Sequence, residues 1–186
     1  DFVVCTGGKL NPLKKTEHLI EAIRSLPDRD LHLVIAGAAD RSEPDYAALL
    51  ERQSDGDPRI HFSGWQDKAG MYDHLDASNI AVFPASQSVL WQQSLGMGLP
   101  LLVSERSNLV PGRQDVGYMN LYDNIQILDH ERPLAPQIAA HVRTMKDDPA
   151  LLALRSAGAL RVADELLDWN KLIEQTLRFN RPLAST

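Results

Sequence analysis

Short apolar runs with strong β propensity alternate with helical patterns along almost the whole chain. The run that begins at Phe2 is followed by helical spacing at Leu19, Ile20 and Ile23, and the same order then recurs. Because neighbouring parallel strands need crossover connections, this alternation predicts an α/β fold with a doubly wound, Rossmann-like parallel sheet. The six predicted strands cover residues 2–5, 31–36, 59–62, 80–83, 100–103 and 125–128.

The length and charge of the chain limit its architecture and its partners. With 186 residues it is long enough for one well-buried domain and short for two, so we expect a single domain over residues 1–186. A net charge of −6 argues against a broad surface for nucleic acid or anionic membrane. Cys5 is the only cysteine and lies in an apolar run, which excludes an intrachain disulfide and predicts a buried, inert thiol.

The sequence predicts neither a membrane span nor a secretion signal. No apolar stretch approaches the length that a bilayer requires, and the N-terminus lacks a basic and then apolar region. We therefore expect a cytoplasmic protein. Because the first strand follows Asp1 directly, without an initiator methionine, we also expect that another domain precedes this one.

A lysine-rich segment, residues 7–15, follows the first predicted strand and is interpreted as a strand-to-helix turn. Such turns lie at the carboxyl edge of a parallel sheet, where open α/β folds bind ligands. Gly8 lets the backbone approach a ligand closely, and Lys9 and Lys14 can neutralise an anion. This segment predicts one half of a diphosphate site.

The segment after the fourth predicted strand supplies the other half. Ser86, Ser88 and Val89 lie at the predicted start of a helix, whose backbone N–H groups can donate to an anion. At the end of the third strand, Trp65 follows Gly64, where its ring could border a nucleobase. The alternative for Trp65 is a packing or rim position.

Several common cofactor and catalytic motifs are absent. The chain has no G-x-G-x-x-G, no phosphate-loop pattern and no G-x-S-x-G, and its histidines lack metal-binding spacing. Asp28 and Asp30 resemble a metal-binding carboxylate pair, but they precede the second strand, at the amino edge of the sheet, and are predicted to form a solvated turn. We expect no metal and no cofactor.

The order and spacing of these segments resemble those of the C-terminal domain of retaining GT-B glycosyltransferases of the glycogen synthase and sucrose synthase type. The resemblance covers nearly the whole chain. The resemblance also includes a late helix at Trp169. The segments that carry it are residues 8–14 (GKLNPLK), 18–22 (HLIEA), 33–37 (LVIAG), 60–65 (IHFSGW), 77–84 (ASNIAVFP) and 98–103 (GLPLLV).

The resemblance implies roles for specific residues. Lys9 and Lys14 correspond to the basic residues that bind the donor diphosphate, and Gly64 and Trp65 correspond to the nucleobase pocket. The family carries two glutamates about eight positions apart near the fourth turn. Gln93 occupies the position of the second glutamate, which contacts the ribose. The first glutamate, close to the transferred sugar, has no acidic counterpart within residues 85–88.

The resemblance implies that the chain binds a nucleotide-diphosphate sugar and that the enzyme transfers a hexosyl group to an unidentified acceptor. An N-terminal acceptor-binding domain would complete the site, so the isolated domain is expected to be inactive. Two alternatives remain at this point. The chain could be a degenerate, non-catalytic nucleotide-sugar-binding or regulatory module, or part of a GT-B fold nucleotide-sugar epimerase.

Overall fold

Strands and helices alternate in the computed structural model, which describes residues 1–40, 42–85, 88–104 and 116–179. The strands are β1 (Phe2–Leu10), β2 (Leu31–Ala39), β3 (Ile60–Phe62), β4 (Ile80–Phe83), β5 (Leu101–Ser104) and β6 (Ile125–Leu128). The helices are α1 (Thr16–Ser25), α2 (Pro44–Ser54), α3 (Lys68–Asp76), α4 (Leu90–Gly96), α5 (Leu134–Asp147), α6 (Pro149–Val162) and α7 (Trp169–Phe179). Short 3-10 turns cover Pro12–Lys14 and Gly117–Met119, and a π-helical turn covers Ala163–Leu167.

The strands form one parallel sheet in the order β3-β2-β1-β4-β5-β6. This confirms the predicted α/β, doubly wound, Rossmann-like fold. The chain order reverses between β1 and β4, and such a reversal opens a crevice at the carboxyl edge of the sheet. Within the described ranges, no helix is long and apolar enough to cross a membrane.

Alternate residues of the central strands point into two apolar layers, one on each face of the sheet. Val4 and Leu102 belong to the layer beneath α1, α2 and α5. Cys5 and Val103 belong to the opposite layer, which α3, α4 and α6 cover. Burial raises the pKa of Cys5 to about 12, which confirms the prediction of a buried and unreactive thiol.

The two central strands are longer than the sequence predicted. The end of β1 was predicted at residue 5 and the end of β2 at residue 36, but their pairing continues to Leu10 and Ala39. Gly8 pairs with Gly37, and a Cβ atom on Gly37 would lie 2.1 Å from the carbonyl oxygen of Gly8. The interpretation of Gly8 and Lys9 as turn residues was therefore wrong, because facing glycines let the two strands stay together.

The acidic pair before β2 is held by α5. The Nζ atom of Lys146 lies 3.1 Å from a carboxylate oxygen of Asp28 and 3.2 Å from one of Asp30. The predicted turn is present and the Asp30 side chain is 58% exposed, but no local pattern indicated that Lys146 of α5 would pair with both carboxylates. The hydrogen bond from Lys146 lowers the pKa of Asp30, and the two carboxylates raise the pKa of Lys146.

We predict that Gly37→Ala destabilises the fold by about 1 to 3 kcal/mol, because the new methyl group would displace the backbone of β1. Gly96→Ala is the matched control, since a Cβ atom there meets nothing within 4 Å. The control is expected to change the free energy of unfolding by less than about 0.5 kcal/mol. Urea denaturation measures both variants, and equal stabilities would contradict the close approach of β1 and β2.

Candidate functional site

The end of β1 lies at the point where the strand order reverses. β1 pairs with β4 at Val4 and Cys5, and then continues beside β2 as far as Leu10. A Cβ atom on Gly8 would lie 3.6 Å from Cδ1 of Leu90, the first residue of α4. The structure therefore brings the end of β1 and the start of α4 together at the carboxyl edge.

A short turn after β1 fixes the backbone of Lys14. The side chain of Asn11 accepts a hydrogen bond from the N–H of Leu13 at 3.1 Å, and its carbonyl accepts one from Lys14 at 2.9 Å. Asparagine and proline favour such turns because each restricts the local backbone. Lys14 is half-buried, and this desolvation lowers the pKa of its ammonium group. A bound anion would compensate for that desolvation.

Tyr46 of α2 attaches the start of α1 to its neighbour. The buried Tyr46 hydroxyl accepts a hydrogen bond from the N–H of Thr16 at 3.0 Å and donates one to a carboxylate oxygen of Glu17 at 2.6 Å. Burial, with the Glu17 carboxylate, raises the pKa of Tyr46 above its usual value. Sequence reasoning missed Tyr46, because no local signal indicates a contact across thirty positions.

Lys9 projects from the end of β1 and forms an ion pair with Asp40, directly after β2. The side chain of Lys9 is 60% exposed and that of Asp40 is 31% exposed. Hydrogen bonds from Lys9 and from the N–H of Ser42 lower the pKa of Asp40 to about 2. Asp40 was also missed, because only the register of β1 against β2 brings it beside Lys9.

Two backbone amides at the start of α4 are engaged within the protein. Ser86 lies outside the described residues. The Ser88 hydroxyl accepts a hydrogen bond from the N–H of Leu90 at 3.2 Å, and its carbonyl accepts one from Trp91 at 3.1 Å. These two amides are engaged within the protein, so they cannot serve the predicted anion without rearrangement. Val89 is 74% exposed at the same edge.

Gln93 lies one turn into α4 and lines a cavity of about 550 Å³ between α3, α4 and the start of α7. The other lining residues are Lys68, Tyr72, Val89, Gln92, Gly96, Met97, Ala163, Leu167 and Trp169. The structure therefore places Val89 and Gln93 in one cavity. Lys9 and Lys14 are not among the residues of its wall.

Gly64 and Trp65 are one strand removed from the lysines, because β2 lies between β1 and β3. Gly64 adopts a left-handed backbone, with φ of 70°, and lines a second cavity of about 270 Å³. Leu10, Gly37 and Phe62 also line this second cavity. Trp65 is 70% exposed at this edge.

A metal centre needs several His, Cys, Asp or Glu side chains grouped around one point. Within the part of the chain that the structure describes, no group of three His, Cys, Asp or Glu side chains is arranged to hold a metal ion. The site chemistry that is present consists of two lysines, one carboxylate and several amide and hydroxyl groups.

Known protein structures share this fold. The chain superimposes on HepE from Anabaena, determined in complex with UDP, with a TM-score of 0.79 and 19% identity over 96% of this chain and 49% of that one. The C-terminal domain of LpcC, a glycosyl transferase group 1 family protein from Francisella tularensis, superimposes with a TM-score of 0.76 and 16% identity. The match covers 90% of this chain and 86% of that domain. Sucrose-phosphate synthase from Thermosynechococcus elongatus superimposes with a TM-score of 0.76 and 17% identity, over 96% of this chain and 44% of the synthase.

These relatives differ in the share of their length that the chain covers. The chain spans about half the length of HepE and most of the LpcC domain. No curated protein matches the chain significantly. The family model described as glycosyl transferases group 1 matches residues 1–119, which include β1 to β5, α4, Lys9 and Lys14. This chain belongs to the glycosyl transferases group 1 family.

Proposed function

We propose that this chain is the donor-binding half of a GT-B glycosyltransferase, which binds a nucleoside-diphosphate sugar for transfer of a hexosyl group to an acceptor. The observation that carries the proposal is the position of Lys9 and Lys14 at the end of β1, the strand at which the order of the sheet reverses. HepE, which shares the fold, was determined with UDP, with UDP and glucose, and with UDP-glucose. UDP is therefore the first nucleotide to test.

The proposed chemistry is electrostatic. When the bond between the sugar and the diphosphate breaks, negative charge grows on the leaving phosphate. A half-buried ammonium group, such as that of Lys14, stabilises this charge more strongly than a solvated one, because less water screens it. No metal or cofactor is required for this contribution, and the acceptor would be activated by groups outside this chain.

An exposed apolar rim supports the proposal of a second domain across the crevice. Leu13, Trp65 and Val89 are 62%, 70% and 74% exposed, and they follow β1, β3 and β4 at the same edge. Exposed apolar side chains grouped in this way are typical of interaction surfaces. We propose that an N-terminal acceptor-binding domain of the same protein covers them, and that the enzyme acts in cytoplasmic polysaccharide biosynthesis.

A second candidate function is a non-catalytic nucleotide-sugar-binding module. A specific observation favours it: neither position that corresponds to a family glutamate carries a carboxylate. Residues 85–88 (ASQS), which occupy the region of the first glutamate, carry no carboxylate, and Gln93 contributes a neutral amide. Such a module would bind the nucleotide sugar and leave it intact.

We predict that Lys14→Ala weakens binding of nucleoside diphosphates by about 1.5 to 3 kcal/mol, the value of a hydrogen bond to a charged group. Lys9→Ala is expected to cost less, about 0.2 to 1 kcal/mol, because Lys9 is more exposed. Calorimetric titration of the full-length protein with UDP, GDP and ADP measures both losses, which should shrink at high salt.

Arg29→Gln is the control for the lysine variants, because it removes one positive charge from an exposed side chain beside β2 at the amino edge. Its affinity should equal that of the wild type. If both lysine variants also retain full affinity, the diphosphate does not bind beside Lys9 and Lys14. Turnover of a nucleotide sugar by the full-length wild type then separates a transferase from a non-catalytic module.

We predict that Gln93→Ala lowers nucleotide affinity by about 0.5 to 1.5 kcal/mol, the net contribution of one neutral hydrogen bond. The unfolding midpoint should hardly change, since alanine suits a helix interior. Gln93→Glu tests the charge, because a carboxylate accepts from ribose hydroxyls but repels the diphosphate. Tighter binding would mean that the pocket keeps the family geometry, and weaker binding would mean a pocket adapted to the amide.

Gln92→Ala provides the comparison for Gln93, since it removes a neighbouring amide from the same helix and the same cavity. Its effect on affinity should be smaller than that of Gln93→Ala. If neither Gln93 variant changes affinity, Gln93 does not contact the nucleotide.

A further inference from the structure

Asp40 places a negative charge beside a lysine that is proposed to bind an anion. The Nζ atom of Lys9 pairs with a carboxylate oxygen of Asp40. A bound diphosphate would compete with Asp40 for this ammonium group. The ion pair therefore opposes the anion binding that Lys9 would otherwise favour.

The backbone around Asp40 holds its carboxylate in place. The other carboxylate oxygen accepts a hydrogen bond from the N–H of Ser42 at 3.0 Å, and the Asp40 carbonyl accepts one from Glu43 at 2.9 Å. An aspartate that bonds its own backbone in this way defines a turn. Lys9, by contrast, has a long side chain with four rotatable bonds. When the pair opens, Lys9 moves and Asp40 stays.

We propose that Asp40 is a counter-charge of the donor site: it holds Lys9 in the empty site and weakens binding of the nucleoside diphosphate product more than binding of the sugar-bearing donor. This inference rests on the proposed function. A free nucleoside diphosphate has an ionisable terminal phosphate oxygen that the sugar ester lacks, so it carries more negative charge. A fixed carboxylate repels the more charged ligand more strongly. Asp40 would thus favour release of the product.

Asp40→Asn tests this role while it preserves the turn, because the asparagine oxygen can still accept from Ser42. Asp45→Asn is the matched control, an equal change of charge at an exposed position in the first turn of α2. Calorimetry with UDP, GDP and ADP and with their glucose esters gives the affinities. We expect Asp40→Asn to bind the diphosphate about two- to fivefold more tightly, with a smaller gain for the glucose ester and no change in Asp45→Asn.

A Lys9→Met background separates the ion pair from simple repulsion. If Asp40 acts by holding Lys9, the gain from Asp40→Asn is smaller when Lys9 is replaced. An equal gain in both backgrounds would overturn the role in holding Lys9. An equal or larger gain for the glucose ester would overturn the discrimination against product.

The outcomes also distinguish this inference from the proposed function. If the wild type binds a nucleoside diphosphate and Asp40→Asn binds it no more tightly, the role of Asp40 is wrong and the donor site stands. If only Asp40→Asn binds measurably, the counter-charge is supported. If neither protein binds any of the nucleotides, the proposed function fails and the inference fails with it.

Discussion

The close pairing of β1 with β2 determines the geometry of everything at the carboxyl edge. Glycine faces glycine at positions 8 and 37, and this contact lets the ladder run to Leu10 and Ala39. A side chain at position 37 would push the strands apart, and one at position 8 would be strained by the left-handed backbone there, with φ of 93°. Because the strands stay together, Lys9 leaves β1 directly beside the turn that follows β2, and its contact with Asp40 results from this register.

The site combines rigid backbone with movable charge. Asn11 and Tyr46 fix the turn of Lys14 and the start of α1 through hydrogen bonds, so the half-buried ammonium group is presented at a defined place. Lys9 is more exposed and is paired with a carboxylate. For the proposed function, a fixed backbone would hold Lys14 against the charge of the leaving phosphate, and an exchangeable ion pair at Lys9 would let a bound diphosphate leave.

Sequence reasoning succeeded where local pattern and physical constraint agree. The alternating strand and helix patterns predicted the sheet and its parallel strands. The apolar run around Cys5 predicted a buried thiol. It failed where the outcome depended on a partner distant in sequence. The facing glycines looked like a turn, and nothing near Tyr46 indicated its contact with Thr16. The pairing of Lys146 with the acidic turn before β2 was missed for the same reason.

The sequence by itself determined the fold class, because crossover helices between short apolar runs leave a parallel doubly wound sheet as the arrangement that buries both faces. It also placed Lys14 and Gln93 after strands that end at the carboxyl edge of the sheet, whereas Lys9 proved to lie within β1. Only the tertiary structure decided which groups these residues meet. Ion pairing with Asp40 and entry of Gln93 into a cavity with α3 and α7 depend on strand register and helix packing, which arise from contacts between residues far apart in the chain.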